Sequence, residues 1–177
     1  MTFAFPPYPT REAWERRAAW LREHLLAVLG LWPMPERPPV QVQVTHRLEY
    51  DDYCIENIYL ESWPGFYCTG NLYRPRGKPG PYPAILNPHG HWQRGRLEHG
   101  DLGSIRARCI TFARMGMMAF AYDMVGYNDS RQVPAHRFAT RRGALWGLTP
   151  MALQTWNSLR TVDWLAGLEE VDPERIG

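Results

Sequence analysis

Asn87-Pro88-His89-Gly90-His91-Trp92 gathers two imidazoles, an indole and a glycine directly after the apolar run Ala84-Ile85-Leu86. Two chemistries suit those residue types. Gly90 lets backbone approach a ligand closely, and exposed N–H groups beside it can stabilise a developing oxyanion. The H-x-H spacing of His89 and His91, with Glu98, His99 and Asp101 downstream, also suits zinc, which accepts imidazole and carboxylate ligands. Against the metal stand Arg94 and Arg96, which repel a cation, and Gln93-Arg94 in place of a further Asp-His pair. A positioning or solvent-facing role is the simpler reading of both histidines.

A second stretch, Asp123-Met124-Val125-Gly126-Tyr127-Asn128-Asp129-Ser130, follows the apolar run Met117–Ala121. Gly126 permits a tight turn, and the carboxylates can bond turn amides, so the stretch reads first as an Asx-rich turn holding two loops together. Ser130 beside Asp129 has the type of a nucleophile, but the sequence places no histidine to activate it. His46 and His136 stand alone and read as surface or packing residues. Arg16-Arg17 and Arg141-Arg142 read as solvated faces. Trp146, Trp156 and Trp164 read as core, while Trp92 is a candidate wall for an acyl or sugar pocket.

These loops need elements to position them. Residues 10–30 read as a helix capped by Thr10 and terminated by Gly30, with Trp14, Ala18, Leu21, Leu25 and Leu29 at helical spacing. The linker Pro33–Pro39 cannot continue it. From Val40 the period becomes two, and Cys54–Glu61 and Phe66–Arg74 read as a hairpin about Trp63-Pro64-Gly65. Ala84–Leu86 and Met117–Ala121 have the continuous apolar character of strands buried on both faces. A helix from Ile105 to Met115, ended by Gly116, joins them and makes them parallel. Thr149-Pro150 opens a further helix, apolar around most of its circumference. Glu169–Arg175 reads as a loop, and Ile176 as the first residue of a strand beside 117–122. Ligands of open α/β sheets sit beyond the carboxyl ends of the strands, so Gly90–Trp92 and Asp123–Tyr127 should meet there.

Composition sets the outer bounds. The 177 residues carry 20 Lys+Arg against 18 Asp+Glu, a net +2 that implies no nucleic-acid or anionic-membrane partner. Mean hydropathy of −0.43 and the want of a long apolar run argue against a spanning helix. Eight Trp, nine Tyr and six Phe argue against disorder. Three cysteines without a CxxC pair make a disulfide framework or structural zinc a poor reading. Met1–Pro7 lacks the basic start and apolar run of a signal peptide, so a cytoplasmic location is the expectation.

Several co-ordered motifs carry a family resemblance over about residues 50–177. Phe66–Pro75, Pro83–Trp92 and Tyr122–Tyr127 resemble the N-terminal half of bacterial α/β-hydrolases similar to acetylxylan esterases and dienelactone-hydrolase-like enzymes. Trp146-Gly147-Leu148, Gln154–Ser158 and Val171–Gly177 extend the resemblance. It implies an α/β fold in which antiparallel strands lead into a parallel sheet flanked by helices. Residues 1–39 would form an N-terminal helix and linker, and 40–177 the first part of the hydrolase domain, incomplete at its C-terminus.

By the same resemblance, His91 supplies an oxyanion-hole backbone N–H, with Trp92 the alternative. His89, Gly90, Asp123, Gly126 and Tyr127 line the site loops. The family's nucleophile sits in G-x-S-x-G, a pattern that none of Ser62, Ser104, Ser130 and Ser158 satisfies. The expectation is therefore an N-terminal portion of a serine ester hydrolase, inactive alone, with its triad beyond Gly177 and no cofactor. Its partners would be a small ester, with acetylated carbohydrate as the family's suggestion, and a separate C-terminal half or a second copy. A non-catalytic α/β binding or assembly module is the alternative, and a metal-dependent hydrolase using His89 and His91 a weaker one.

Overall fold

A computed structural model of the chain describes residues 7–133, 136, 140–147 and 149–177. Most of the N-terminal segment read for a leader, and Leu148 of one matched motif, lie outside the described residues. In chain order the elements are α1 (Arg11–Val28), β1 (Val42–Glu49), β2 (Tyr53–Trp63), β3 (Phe66–Pro75) and β4 (Tyr82–Pro88). A 3-10 turn at Gly95–Leu97 and the short pair β5 (His99–Gly100) and β6 (Gly103–Ser104) lead to α2 (Ile105–Met115). Then come β7 (Met118–Tyr122), α3 (Arg141–Leu145), α4 (Pro150–Ala166) and β8 (Val171–Ile176).

Six strands form one sheet in the order β1-β2-β3-β7-β4-β8. β1, β2, β3 and β7 are joined antiparallel, whereas β4 runs parallel to both β7 and β8. The expected meander passing into parallel strands is thus the observed architecture. β7 explains how. Met118, Phe120 and Tyr122 point into one core with Ile58, Leu60, Leu72, Trp164 and Leu165. Ala119 and Ala121 point into the other, with Tyr53, Tyr73, Ile105, Cys109 and Ala113. Large side chains therefore face α4 and alanines admit α2 on the opposite face, and a strand covered on both sides must be apolar throughout. Gly70 is needed where β3 crosses β7, since a Cβ there would stand 2.6 Å from the Phe120 ring and 2.7 Å from the Ala121 carbonyl oxygen.

The helix ends follow their local codes. Ser104 Oγ accepts from Ala107 N–H at 3.0 Å to cap α2, and Gly116 ends it at φ 90°. Thr149 caps α4 and Thr10 caps α1 in the same way. All three cysteines are free and buried, and burial pushes the Cys68 and Cys109 thiols up to about 12.

The helical stripe of α1 buries none of its residues. Three expectations are corrected. Trp146 is not core but 76% exposed, because the chain at the end of the short α3 faces solvent, with Leu145 beside it 87% exposed. β8 lies beside β4 rather than β7, whose two edges are taken by β3 and β4. Glu169–Arg175 is only partly a loop. Val171 pairs with Tyr82 and Ile176 with Ala84, while Asp172 bulges the strand by accepting from Glu174 N–H at 3.0 Å and from Arg175 Nε at 2.6 Å.

Candidate active site

Parallel pairing sets Pro88 opposite Tyr122, so the loops after β4 and β7 leave the same edge of the sheet. They meet there, as the sequence anticipates, and His89 is the joint. Its ring is buried, with Nδ1 2.7 Å from the Gly90 carbonyl oxygen and Nε2 accepting from Met124 N–H at 3.1 Å. A carbonyl only accepts and an amide only donates, so His89 is neutral with its proton on Nδ1. Burial lowers its pKa, which keeps it so. Both ring nitrogens are spent on backbone, and neither is left for a proton transfer or a metal. The Tyr127 ring meets His89 edge-on, with centroids 4.7 Å apart.

Asp123 anchors the second loop. Fully buried, it accepts from Thr69 Oγ1 at 2.8 Å, Asn128 Nδ2 at 2.7 Å and Asp129 N–H at 3.2 Å, and it is ion-paired with Arg96. The reading of an Asx-rich turn that holds two loops together describes this residue well. Arg96 is the residue the sequence conceals. Almost wholly buried, it also reaches Asp129 at 2.6 Å and donates from Nε to Asn71 Oδ1 at 2.7 Å. Burial opposes its charge, but Asp123 and Asp129 together hold its pKa above the ordinary value. Rather than repelling a ligand from solvent, Arg96 ties the 3-10 turn to β3 and to the β7 loop.

Gly95 makes room for this arrangement. At φ +52°, a Cβ on it would lie 2.7 Å from Asn128 Nδ2 and 3.1 Å from His89 Nε2. Gly126, at φ +86°, turns the chain back so that its N–H donates to the Ser130 carbonyl at 2.7 Å. Ser130 is buried in that turn, its N–H donating to the Tyr127 carbonyl at 2.8 Å, and among the described residues no histidine is hydrogen-bonded to it.

Gly90, His91 and Trp92 form the outer lip. The amides of His91 and Trp92 donate to no acceptor among the described residues, although the Trp92 carbonyl accepts from Gly95 N–H at 3.1 Å. The His91 side chain is exposed and touches His136, which the sequence left isolated: the two Nε2 atoms are 3.0 Å apart. Trp92 packs partly against the α2 core and lies under Gly90, so it is a wall of this lip. A cavity of about 580 Å³ between β1–β3 and α2 reaches Asn71 and Arg96, one of about 420 Å³ lies beside Tyr59, Tyr67 and Asp129, and one of about 380 Å³ lies between the proline linker and Trp63. Among the described residues, no group of three or more His, Cys, Asp or Glu is gathered as for a metal ion.

Comparison with known proteins places the class first. The chain has the mixed α/β fold of the esterase-like α/β-hydrolases, and its structural neighbours are acetyl xylan esterases and methylesterases. Methylesterase BT1017 aligns with 96% of this chain and 36% of its own, at 29% identity and a TM-score of 0.73. A Bacteroides fragilis structure provisionally described as an acetyl xylan esterase aligns with 93% of this chain and 46% of its own, at 15% identity and a TM-score of 0.74. Among curated proteins, YtaP of Bacillus subtilis (strain 168), provisionally named a hydrolase, is 25% identical over 162 residues. That alignment takes in 88% of this chain, which spans about half of the relative's length, 53%. No protein-family model matches the chain. Among the described residues no helix is long and apolar enough to cross a membrane.

Proposed function

We propose that these 177 residues form the oxyanion-hole half of a serine ester hydrolase, inactive by themselves, that acts on a small ester such as an acetylated carbohydrate. One observation carries the reading. Among the described residues the His91 and Trp92 amides find no acceptor, on the loop after β4 and in a fold shared with esterases. Backbone N–H groups fixed in advance stabilise the charge that develops on an acyl oxygen at no cost of reorganisation. His91 N–H is the favoured donor and Trp92 N–H the alternative.

The rest of the chain acts as support. His89 and Asp123 hold the two loops in register, Gly90 and Gly126 give them their turns, and Tyr127 covers His89. β8 runs beside β4, with Leu86 N–H donating to the Gly177 carbonyl at 2.8 Å. A nucleophile carried on a segment continuing from β8 would emerge next to Gly90–Trp92. There the second oxyanion donor would follow it.

The test is hydrolysis of p-nitrophenyl acetate by the 177-residue chain alone and by the chain supplied with its downstream coding sequence, each with and without a fluorophosphonate. The expected result is inhibitor-sensitive turnover only in the longer form. Turnover by the short form, with label on Ser62, Ser104, Ser130 or Ser158, overturns the assignment. Inactivity of both forms favours a binding or assembly module instead.

A further inference from the structure

The geometry points to a two-histidine site for a divalent transition metal, made by His91 and His136, which we propose binds Zn²⁺, Ni²⁺ or Cu²⁺ on the outer lip of the candidate active site. The two Nε2 atoms converge to 3.0 Å, from the β4 loop and from the segment after β7 respectively. His136 Nδ1 lies 3.0 Å from the Val125 carbonyl oxygen, which can only accept. The proton of neutral His136 is therefore on Nδ1, and its Nε2 presents a lone pair toward His91. That is the arrangement of a metal-ligating histidine, whose second nitrogen is fixed by a backbone carbonyl. In the metal-free chain one proton, on His91 Nε2, bridges the pair.

A metal ion would take the place of that proton, which passes through solvent to His91 Nδ1 as the neutral ring changes tautomer and frees Nε2. Two imidazoles at about 2.0–2.1 Å from tetrahedral zinc stand about 3.3–3.4 Å apart, so the pair need open by only a few tenths of an ångström. His91 is exposed and Gly90 precedes it, which makes that adjustment cheap. Hard cations such as Mg²⁺ and Ca²⁺ prefer oxygen ligands and find none offered here by the pair. With two protein ligands, the remaining positions belong to water or to an anionic ligand, and Cu²⁺ should bind more tightly than Ni²⁺ or Zn²⁺. His89 takes no part, because both its nitrogens are already engaged. This proposal does not depend on the esterase reading.

The experiment is a calorimetric titration of the untagged 177-residue chain with ZnCl₂ and CuCl₂, repeated on His91→Ala, His136→Ala and His46→Ala. Circular dichroism checks that each variant keeps its fold. One equivalent should bind to the parent chain, with that binding lost in either site variant and unchanged in His46→Ala. Electron paramagnetic resonance of the Cu²⁺ form should show two nitrogen ligands in the parent chain and fewer in each site variant. Equal binding by all four proteins, or no binding by the parent chain, overturns the proposal. A site variant that does not fold leaves the decision to the parent's spectrum, where fewer than two nitrogens overturns it and two, with His46→Ala unchanged, support it.

Discussion

α1 and α4 are built to the same local specification and meet different fates. Each is opened by a threonine whose Oγ1 accepts from the amide three residues on, at 3.2 Å from Ala13 N–H in one and 3.0 Å from Ala152 N–H in the other. Each carries tryptophan and leucine at helical spacing over 17 or 18 residues. Yet α4 buries Trp156, Trp164 and Leu165 against the sheet, and α1 buries nothing. A helix forms on its caps and propensities, but whether its stripe contributes to stability depends on a surface elsewhere in the chain. α4 finds one in the large side chains of β7 and β2.

Substitution of the tryptophans should separate the two most widely. Trp156 is 2% exposed and donates from Nε1 to the Ser62 carbonyl at 2.6 Å. Trp156→Ala should lower unfolding free energy by about 3–5 kcal/mol. Trp14 is 50% exposed and contacts Tyr8 edge-on. Trp14→Ala should cost about 0.5 kcal/mol. Urea denaturation of both variants measures the difference, and similar losses would mean that α1 is packed in solution.

The network below the site should approach the same scale by polar means. Asp123→Ala leaves the buried Arg96 with the Asn71 amide oxygen and, among the described residues, the exposed carboxylate of Asp129 as its one remaining counter-charge. Breaking such a pair from one side costs about 3–5 kcal/mol. Removing both partners together, in Asp123→Leu with Arg96→Met, should cost less than the two single changes added. Additive losses in the urea midpoints would show that the pair does not interact. Gly95→Ala comes next, at about 1–3 kcal/mol, because the new methyl would meet Asn128 and His89 on strained backbone. It should also disturb the His89 ring, visible as a shift of its imidazole signals by NMR. Unchanged signals and stability would argue against the close approach.

How much of this was legible follows from the range of each interaction. The α2 boundaries, the start of α4, the hairpin and the parallel pair could be read because caps, turn residues and apolar runs are written within a few neighbouring positions. The meeting of the two loops was legible too, since parallel strands must release their loops at one edge. Arg96 was not. Its partners Asn71 and Asp123 lie 25 and 27 residues away, and from sequence a buried arginine in a charged stretch looks like a solvated one. The only trace was an Asx-rich loop with carboxylates to spare. His136 was missed for the same reason, being 45 residues from His91. Trp146 misled because an aromatic residue announces burial by type alone, whereas burial needs an element to fold over it.

The caps give the smallest and cleanest separation of the two helices. Thr10→Ala and Thr149→Ala remove the same bond from the same position, and each should weaken its own helix by about 1 kcal/mol. Where that loss is felt depends on what the helix is attached to. α4 is part of the folded core, so unfolding the chain unfolds α4, and the loss should appear in full as a lowered global midpoint. α1 buries no residue, so it can fray while the sheet stays intact, and its loss should stay local. Thr10→Ala should therefore leave the urea midpoint within error while speeding amide exchange across Glu12–Val28. Thr149→Ala should move the midpoint and speed exchange in α4 only as far as global opening allows. A midpoint shift of equal size in both variants would break the comparison. It would show that α1 is coupled to the sheet by contacts other than buried apolar surface, and the ion pair of Arg37 with Asp163 of α4, 3.1 Å apart beyond the end of α1, would be the first place to look for the connection.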